Sequence, residues 1–201
     1  MESLIYSMIN QSIAAKECLR PQIPNLIKAA ETIYKSLEDG HKLLVFGNGG
    51  SAADAQHISG ELLGRFKTSR KGLAAIALTT DTSFLTARSN DYGFESIFER
   101  QVEALAGYGD VLWGISTSGN SENVLRAFRK GHRIGTYNFS LTGRNGGKLK
   151  KLSDLNINIP IDNTARIQEA HELAYHIISE LIEINVKRKT KKLLKSKNPL
   201  G

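Results

Sequence analysis

The chain has few of the residues that crosslink secreted proteins and none of the long apolar runs that span membranes. Among its 201 residues there is a single cysteine, Cys18, so no internal disulfide bond can form. No apolar stretch approaches the roughly 20 residues that a membrane span needs. The first residues, Met1-Glu2-Ser3, also lack the basic start of a signal peptide. These absences agree with a reducing compartment and predict no membrane association.

The net charge of +7 is concentrated at the end of the chain. The stretch from Lys187 to Lys197 holds seven basic residues and no acidic one, and the remainder balances 20 basic against 20 acidic residues. The surplus therefore defines a basic C-terminal tail, 187–201. We expect a solvated helix end there, rather than an arm that binds nucleic acid or a membrane.

Short apolar runs alternate with helical patterns, and this alternation predicts a three-layer, doubly wound parallel sheet of five strands. Two helices, at 4–17 and 23–38, precede the sheet as an N-terminal helical arm, which is often an oligomer surface. We predict a single domain over 1–186 that includes these helices. Further helices are predicted from the first loop to about 66, over 94–106, and from 164 to beyond 184. The strands are predicted at 42–46, 73–78, 110–115, 136–141 and 155–159.

The most informative stretch, 116–121, reads Ser-Thr-Ser-Gly-Asn-Ser and joins an apolar run to a helical pattern. Backbone N–H groups at a helix start have no helical partner, and the helix dipole adds positive potential. Four hydroxyls, and a glycine that permits close approach, predict a phosphate-binding loop without a lysine. An N-cap serine before an ordinary helix is the alternative. A cap, however, needs only one hydroxyl.

A second loop, 47–51, reads Gly-Asn-Gly-Gly-Ser and follows the first predicted strand. Ligands in open α/β sheets lie at the carboxyl ends of the strands, so we expect both loops at one edge. The glycines match a dinucleotide-binding fingerprint only loosely. The acidic residue expected about 20 positions later is missing.

Two predicted helices carry titratable groups at helical spacing. His57 and Glu61 are four residues apart and share one helix face. Asp54 is placed to orient the imidazole, although a simple surface pair of His57 with Glu61 is the alternative. On the last helix, apolar neighbours indicate burial, so some of its polar groups need partners. These groups recur every four residues, at Gln168, Glu172 and His176.

Taken in order, these motifs resemble those of the phosphoheptose isomerases, which belong to the sugar isomerase (SIS) family. The resemblance extends from the N-terminal region to about residue 183. Besides the two loops, it rests on Ala55-Gln56-His57, Asn90-Asp91-Tyr92-Gly93, Leu141-Thr142-Gly143 and Ala165-Arg166-Ile167-Gln168-Glu169-Ala170-His171. The serine loop alone indicates only the wider SIS family.

The resemblance implies a flavodoxin-like SIS domain and an aldose–ketose isomerase, usually a homotetramer with sites at subunit interfaces. The implied reaction converts sedoheptulose 7-phosphate to D-glycero-D-manno-heptose 7-phosphate. It is the first step of cytoplasmic heptose activation for surface polysaccharides such as lipopolysaccharide. The implied acid–base pair is Glu61 and His176. The implied zinc ligands are His57, Glu61, Gln168 and His176. The implied substrate contacts are Asn48, Gly49, Gly50, Ser51, Asn90, Asp91, Ser116, Thr117, Ser118, Ser121 and Gln168.

The spacing of these groups raises two questions. Gln168 and His176 are eight residues apart, about 12 Å along a helix, so one straight helix struggles to bring both to one ion. Either the side chains converge or different subunits supply them, and we expect Glu61 and His176 to meet across subunits. Glu61 also has two competing roles, because a metal-bound carboxylate cannot freely act as a base.

Two other functions remain as alternatives. One is a non-catalytic SIS protein that binds the bacterial replication initiator. Such a protein is expected to lack the acid–base pair, whereas Glu61 and His176 are both present here. The other is a SIS sugar-phosphate sensor within a regulator, which an appended DNA-binding domain would indicate.

Overall fold

A computed structural model describes residues 1–197 of the chain, with side chains to residue 190. Its centre is a sheet of five strands in the order β2-β1-β3-β4-β5, in which every neighbouring pair is parallel. This strand order is the flavodoxin-like one and confirms the predicted fold class. The strands are β1 Leu43–Gly47, β2 Ala75–Ala77, β3 Val111–Ser116, β4 Tyr137–Gly143 and β5 Leu155–Ile159.

Helices cover both faces of the sheet. Two of them, α1 (Glu2–Glu17) and α2 (Ile23–Glu38), precede the first strand, and short 3-10 helices occupy Arg20–Gln22 and Phe94–Ser96. Within residues 1–197, none of the helices combines the length and apolar character of a membrane span. The later helices are α3 Gly50–Leu63, α4 Thr82–Tyr92, α5 Ile97–Leu105, α6 Glu122–Ile134, α7 Gly147–Lys151 and α8 Thr164–Lys197.

Two apolar cores form because successive strand residues point to opposite faces of a sheet. On β1, Leu43 and Val45 pack with side chains of α1, α2, α3 and α8. Their neighbours Leu44 and Phe46 pack with α5, α6 and α7 on the other face. The architecture is therefore helix, sheet, helix, which confirms the predicted three layers. It also places α3 and α8 on the same face.

Some element boundaries differ from those predicted. β2 covers only part of the apolar run 73–78, because it lies at the sheet edge and pairs with β1 alone. Its middle residue, Ile76, is 40% exposed. α3 ends at Leu63 rather than near residue 66, because Gly64 leaves the helical conformation.

The last helix is continuous through the start of the basic tail. α8 passes residue 187 without a break, and Lys189 forms an ion pair with Glu38 of α2. A boundary at 186/187 is therefore defined by charge and not by a change of backbone structure. The last four residues of the predicted tail, 198–201, lie outside the described residues.

The N-terminal helix presents an apolar face to solvent. Ala15 is its buried residue, and the carbonyl of Met8 accepts a hydrogen bond of 2.9 Å from the Arg166 guanidinium on α8. Exposed apolar patches of this kind typically mark surfaces that contact other proteins. The exposed large apolar side chains of α1 are Leu4, Ile5, Met8, Ile9, Ile13 and Tyr6.

Candidate active site

The two loops singled out in the sequence lie at the same edge of the sheet. β1 and β3 are neighbours with Gly47 beside Ile115, so the glycine loop (47–51) and the serine loop (116–121) start side by side. From β1 the chain moves outward to β2, and from β3 it moves the other way to β4. The loops therefore flank the point where the strand order reverses. Open α/β sheets bind their ligands at this point.

Hydroxyl groups of the serine loop face one another. Ser116 Oγ lies 2.9 Å from Ser121 Oγ and 3.4 Å from Ser118 Oγ. Ser121 occupies the N-cap position of α6 but turns its hydroxyl toward Ser116, so a simple helix cap does not account for it. The result is a group of hydroxyls at a helix N-terminus, an arrangement that suits a phosphate.

Gly119 allows the serine loop to pack closely on the start of α7. Its φ of +63° lies in the left-handed region, and a Cβ atom there would collide with the Gly146 carbonyl. The Gly119 carbonyl accepts a 2.9 Å hydrogen bond from the Leu149 N–H. A larger residue would therefore displace the loop.

A pair of amide side chains joins the two loops. Asn48 Nδ2 donates to Asn123 Oδ1 at 2.9 Å, and Asn123 Nδ2 donates back to Asn48 Oδ1 at 2.8 Å. Asn123 is buried in the first turn of α6. This contact was missed in the sequence. It fixes the position of Asn48, which the resemblance implies as a substrate contact.

Asn90 and Asp91 lie in the last turn of α4, where both are exposed. Asn90 Nδ2 donates to Asp91 Oδ1 at 2.9 Å. Phe94, which follows α4, lines a cavity of about 140 Å³ together with Gly47, Asn48 and Gly49. Asn90 and Asp91 are not among the residues that line this cavity.

The helices α3 and α8 bring His57, Glu61 and His176 together. His57 Nε2 lies 3.1 Å from Glu61 Oε1 and 3.5 Å from His176 Nε2. Both contacts are within one chain, so Glu61 and His176 do not need a second subunit to meet. A site that also draws on a second subunit stays a prediction. Two helices distant in sequence pack side by side on one face of the sheet.

Tyr175 fixes the other side of the His57 ring. Its hydroxyl lies 2.9 Å from His57 Nδ1, and its side chain is buried. The prediction that Asp54 orients this imidazole is wrong, because Tyr175 occupies that nitrogen. Within residues 1–197, Asp54 Oδ2 is buried without a hydrogen-bond partner. Tyr175 precedes His176 in the chain, and no spacing rule in the sequence indicated its contact.

Several carboxylates gather around these rings. Burial and the neighbouring Glu172 carboxylate raise the pKa of Asp54 to about 6, against a lowering effect of His57. The pKa of Tyr175 is raised above its ordinary value. Burial is the largest cause, and the negative charges of Asp54, Glu172 and Glu61 add to it. Carboxylates this close repel one another, and a bound cation would relieve the repulsion.

Gln168 and Glu172 occupy different positions along α8. Gln168 packs against the start of α3, where a Cβ atom on Gly50 would collide with its amide. It lies two helical turns from His176, about 12 Å along the axis, so the structure does not bring it to the imidazoles. Glu172 lies about one helical turn closer to His176 than Gln168 does. Its carboxylate and the ring nitrogens of His57 and His176 lie within 4.8 Å of one another.

Comparison with known proteins shows the family to which the chain belongs. The SIS domain family matches residues 10–143. A phosphoheptose isomerase of Helicobacter hepaticus is 51% identical over 91% of this chain and 93% of its own length. One from Aquifex aeolicus is 57% identical over 79% of this chain and 83% of its own. The structure of a phosphoheptose isomerase from Neisseria gonorrhoeae superposes with a TM-score of 0.86 and 45% identity. That match covers 90% of this chain and 98% of the gonococcal one. The chain therefore belongs to the SIS domain family and, within it, to the phosphoheptose isomerases.

Proposed function

We propose that this protein converts sedoheptulose 7-phosphate to D-glycero-D-manno-heptose 7-phosphate. The reaction would be the first step of heptose activation for surface polysaccharide in the cytoplasm. The relatives named above support this reaction class. The observation that carries the proposal is the convergence of Glu61 and His176 on the His57 ring. The replication-initiator-binding alternative does not call for such a pair of proton-transfer groups.

The substrate binds with its two ends in different places. Its phosphate lies in the serine loop, where hydroxyls and the N-terminus of α6 donate hydrogen bonds. The serine loop starts beside the glycine loop, which leads into α3 at Gly50. His57 is seven residues beyond Gly50 on α3, about 10 Å along the helix from this end. This separation suits an open-chain ketose, whose carbonyl end is opposite its phosphate. The phosphate contacts are Ser116, Thr117, Ser118 and Ser121, and the sugar contacts are Asn48, Gly49, Gly50, Ser51, Asn90, Asp91 and Gln168.

The reaction moves protons between adjacent carbon and oxygen atoms. Glu61 takes the proton from C1 and returns it to C2 through an enediolate. His176 transfers a proton between the two oxygens, so that O2 gains the proton that O1 loses. Each group typically contributes about 10²–10⁴-fold to the rate.

The residues present suit a zinc ion. The ligand set implied by the resemblance is His57, Glu61, Gln168 and His176, and three of these four meet in the structure. The nitrogens of His57 and His176 are 3.5 Å apart, close to the roughly 3.3 Å between two nitrogen ligands on tetrahedral zinc. The unpaired buried oxygen of Asp54 adds negative charge nearby. When bound, zinc would polarise the substrate carbonyl.

The protein would act as a homo-oligomer, with a tetramer as the expected state. The exposed apolar side chains of α1 would be covered by a second copy of this chain. His57 and Glu172 are exposed in the single chain, so a neighbouring subunit can lie over the site. Light scattering on the purified protein measures the state. A monomer at micromolar concentration would contradict this part of the proposal.

The direct test incubates purified protein with sedoheptulose 7-phosphate and follows the aldoheptose phosphate by mass spectrometry and NMR. We expect turnover by the wild type and almost none by Glu61→Gln. A zinc-loaded, folded wild type that forms no product would overturn the proposed function.

A further inference from the structure

The chain between α3 and β2 contacts both proton-transfer residues of the proposed reaction. Arg70 Nη2 donates a 2.8 Å hydrogen bond to the carbonyl of Glu61. Earlier in the same segment, the ring centroid of Phe66 lies 5.8 Å from that of His176, with the two planes inclined at 41°. Neither the resemblance nor the proposed reaction gives this segment a role.

Phe66 is held in place from α8, the helix that also carries His176. Its N–H donates to Glu183 Oε2 at 3.2 Å, and its side chain is half-buried. The next residue, Lys67, places its ammonium 5.6 Å from the centroid of the Phe66 ring and pairs with Glu180 at 2.7 Å. Since Glu180 and Glu183 both lie on α8, these contacts hold the Phe66 ring at a set position relative to His176.

The His176 imidazole depends on packing for its orientation. Its polar contact with His57 is long, 3.5 Å between the two Nε2 atoms, so hydrogen bonding fixes the ring only weakly. The outer torsion of a histidine side chain has broad minima, and neighbouring rings therefore have to select one orientation. Two of these neighbours, His57 and Tyr175, have ring centroids 5.0 and 4.7 Å away and belong to α3 and α8. Phe66 adds a contact that comes from neither helix.

We propose that Phe66 is a positioning residue, whose ring packs against the His176 imidazole and holds it where it can transfer a proton between O1 and O2. Proton transfer requires the imidazole within hydrogen-bond reach of these oxygens. A misplacement of about 1 Å can lower a rate by about 100-fold. The inference rests on the proposed function for the role of His176, whereas the contact between the two rings is tested without any sugar.

The test compares three variants of the full-length protein, with zinc in excess throughout. Phe66→Leu removes the aromatic ring and keeps an apolar side chain, whereas Phe66→Tyr keeps the ring. Phe84→Leu is the matched control, because Phe84 is also half-buried but lies on α4, whose Leu85 packs on the opposite face of the sheet. The Phe66 ring is partly exposed, so we expect all three variants to fold, and circular dichroism checks this.

We expect Phe66→Leu to lower kcat about tenfold, since an aromatic pair contributes up to about that factor beyond its buried area. KM should stay within about twofold, because the lost contact orients a reacting group and binds no part of the substrate. Phe66→Tyr should restore kcat to within about threefold of the wild type, and Phe84→Leu should stay in the same range.

NMR of protein with ¹³C-labelled histidine rings reads the contact itself. The chain has five histidines, and the signal missing from His176→Asn identifies His176. That signal should move in Phe66→Leu, because the ring current of Phe66 is lost, and it should stay near its wild-type position in Phe66→Tyr. The signal of His171, which is fully buried, should stay unchanged and so report an intact fold.

Three results would overturn the inference. They are a wild-type kcat in Phe66→Leu, an equal loss of kcat in Phe66→Tyr or Phe84→Leu, and a His176 signal that Phe66→Leu leaves in place. A wild type without turnover would refute the proposed function instead. The NMR signals alone would then decide whether Phe66 orients His176.

Discussion

Glu183, near the end of α8, should be one of the most sensitive positions for stability. Its carboxylate accepts hydrogen bonds from the Phe66 N–H at 3.2 Å, the Lys67 N–H at 3.2 Å and the Thr68 hydroxyl at 2.8 Å. Arg70 Nε lies 3.5 Å away, and the two charged side chains are only 3% and 5% exposed. The pair therefore ties the segment after α3 to α8.

The pair of Glu183 and Arg70 also contacts the turn of α3 that carries Glu61. The Arg70 guanidinium donates 2.8 Å hydrogen bonds to the carbonyls of Glu61 and Leu62. It thus satisfies carbonyls in the last turn of α3 that have no helical partner. Loss of the Glu183 charge would free Arg70 and loosen the turn that carries Glu61.

We expect Glu183→Gln to lower the free energy of unfolding by about 3 kcal/mol, because it leaves the buried Arg70 charge without its partner. For a chain of this size, that loss lowers Tm by about 6–12 °C. Glu180→Gln is a matched control on the same helix, and its ion pair with Lys67 is 43% exposed on the glutamate side. An exposed pair contributes less than about 1 kcal/mol.

Urea unfolding, monitored by circular dichroism, gives the free energy of unfolding of both variants. Protein concentration must be fixed, because an oligomer unfolds in a concentration-dependent way. Replacing both partners, as in Arg70→Met with Glu183→Met, should recover part of the loss. Equal losses in Glu183→Gln and Glu180→Gln, or no recovery in the double variant, would refute this reasoning.

The pH dependence of the same variant has a definite sign. Burial by itself raises the pKa of Glu183, but hydrogen bonds from Thr68 and from the N–H groups of Lys67, Thr68 and Phe66 hold that pKa below its ordinary value. The stabilisation is therefore present above the unfolded-state pKa and is lost as pH falls through the folded-state value. The stability gap between the wild type and Glu183→Gln should narrow below about pH 4.

Four other changes give separate tests. Ser118→Ala should raise KM for the sugar phosphate about 10- to 100-fold, since a hydrogen bond to a charged oxygen contributes about 1.5–3 kcal/mol. Unchanged KM values in both Ser118→Ala and Ser116→Ala would show that this loop does not bind the phosphate. His176→Asn should lower kcat by at least about 100-fold with little change in Tm, and substantial turnover would contradict its proton-transfer role. Gly119→Ala should weaken substrate binding and stability together, because of its positive φ and the clash with Gly146; wild-type kinetics would show that the loop tolerates displacement. Deleting the chain from Lys187 onward should leave kcat/KM within a few-fold, and a loss with the oligomer intact would place the tail at the site.

Local pattern was sufficient for the architecture and for the places of the two loops at strand ends. The predicted strand 155–159 matches β5 residue for residue. Pro160 ends it, and its alternation of apolar and polar side chains is typical of a strand. The loops after β1 and β3 were found from their glycines and hydroxyls. Parallel strands then require both loops to lie at one edge. The order β2-β1-β3-β4-β5 followed from the resemblance and not from any single segment.

Only the tertiary structure decided which side chains meet His57. The stripe of Gln168, Glu172 and His176 gives the direction in which α8 presents its polar groups. It does not give how far α8 lies along α3, and a shift of one helical turn, about 5 Å, exchanges one member of the stripe for the next. That register is set by apolar packing of both helices on the sheet, between residues more than a hundred positions apart. The sequence therefore determined the kind of chemistry, and packing decided that Tyr175 and Glu172 stand beside the imidazoles.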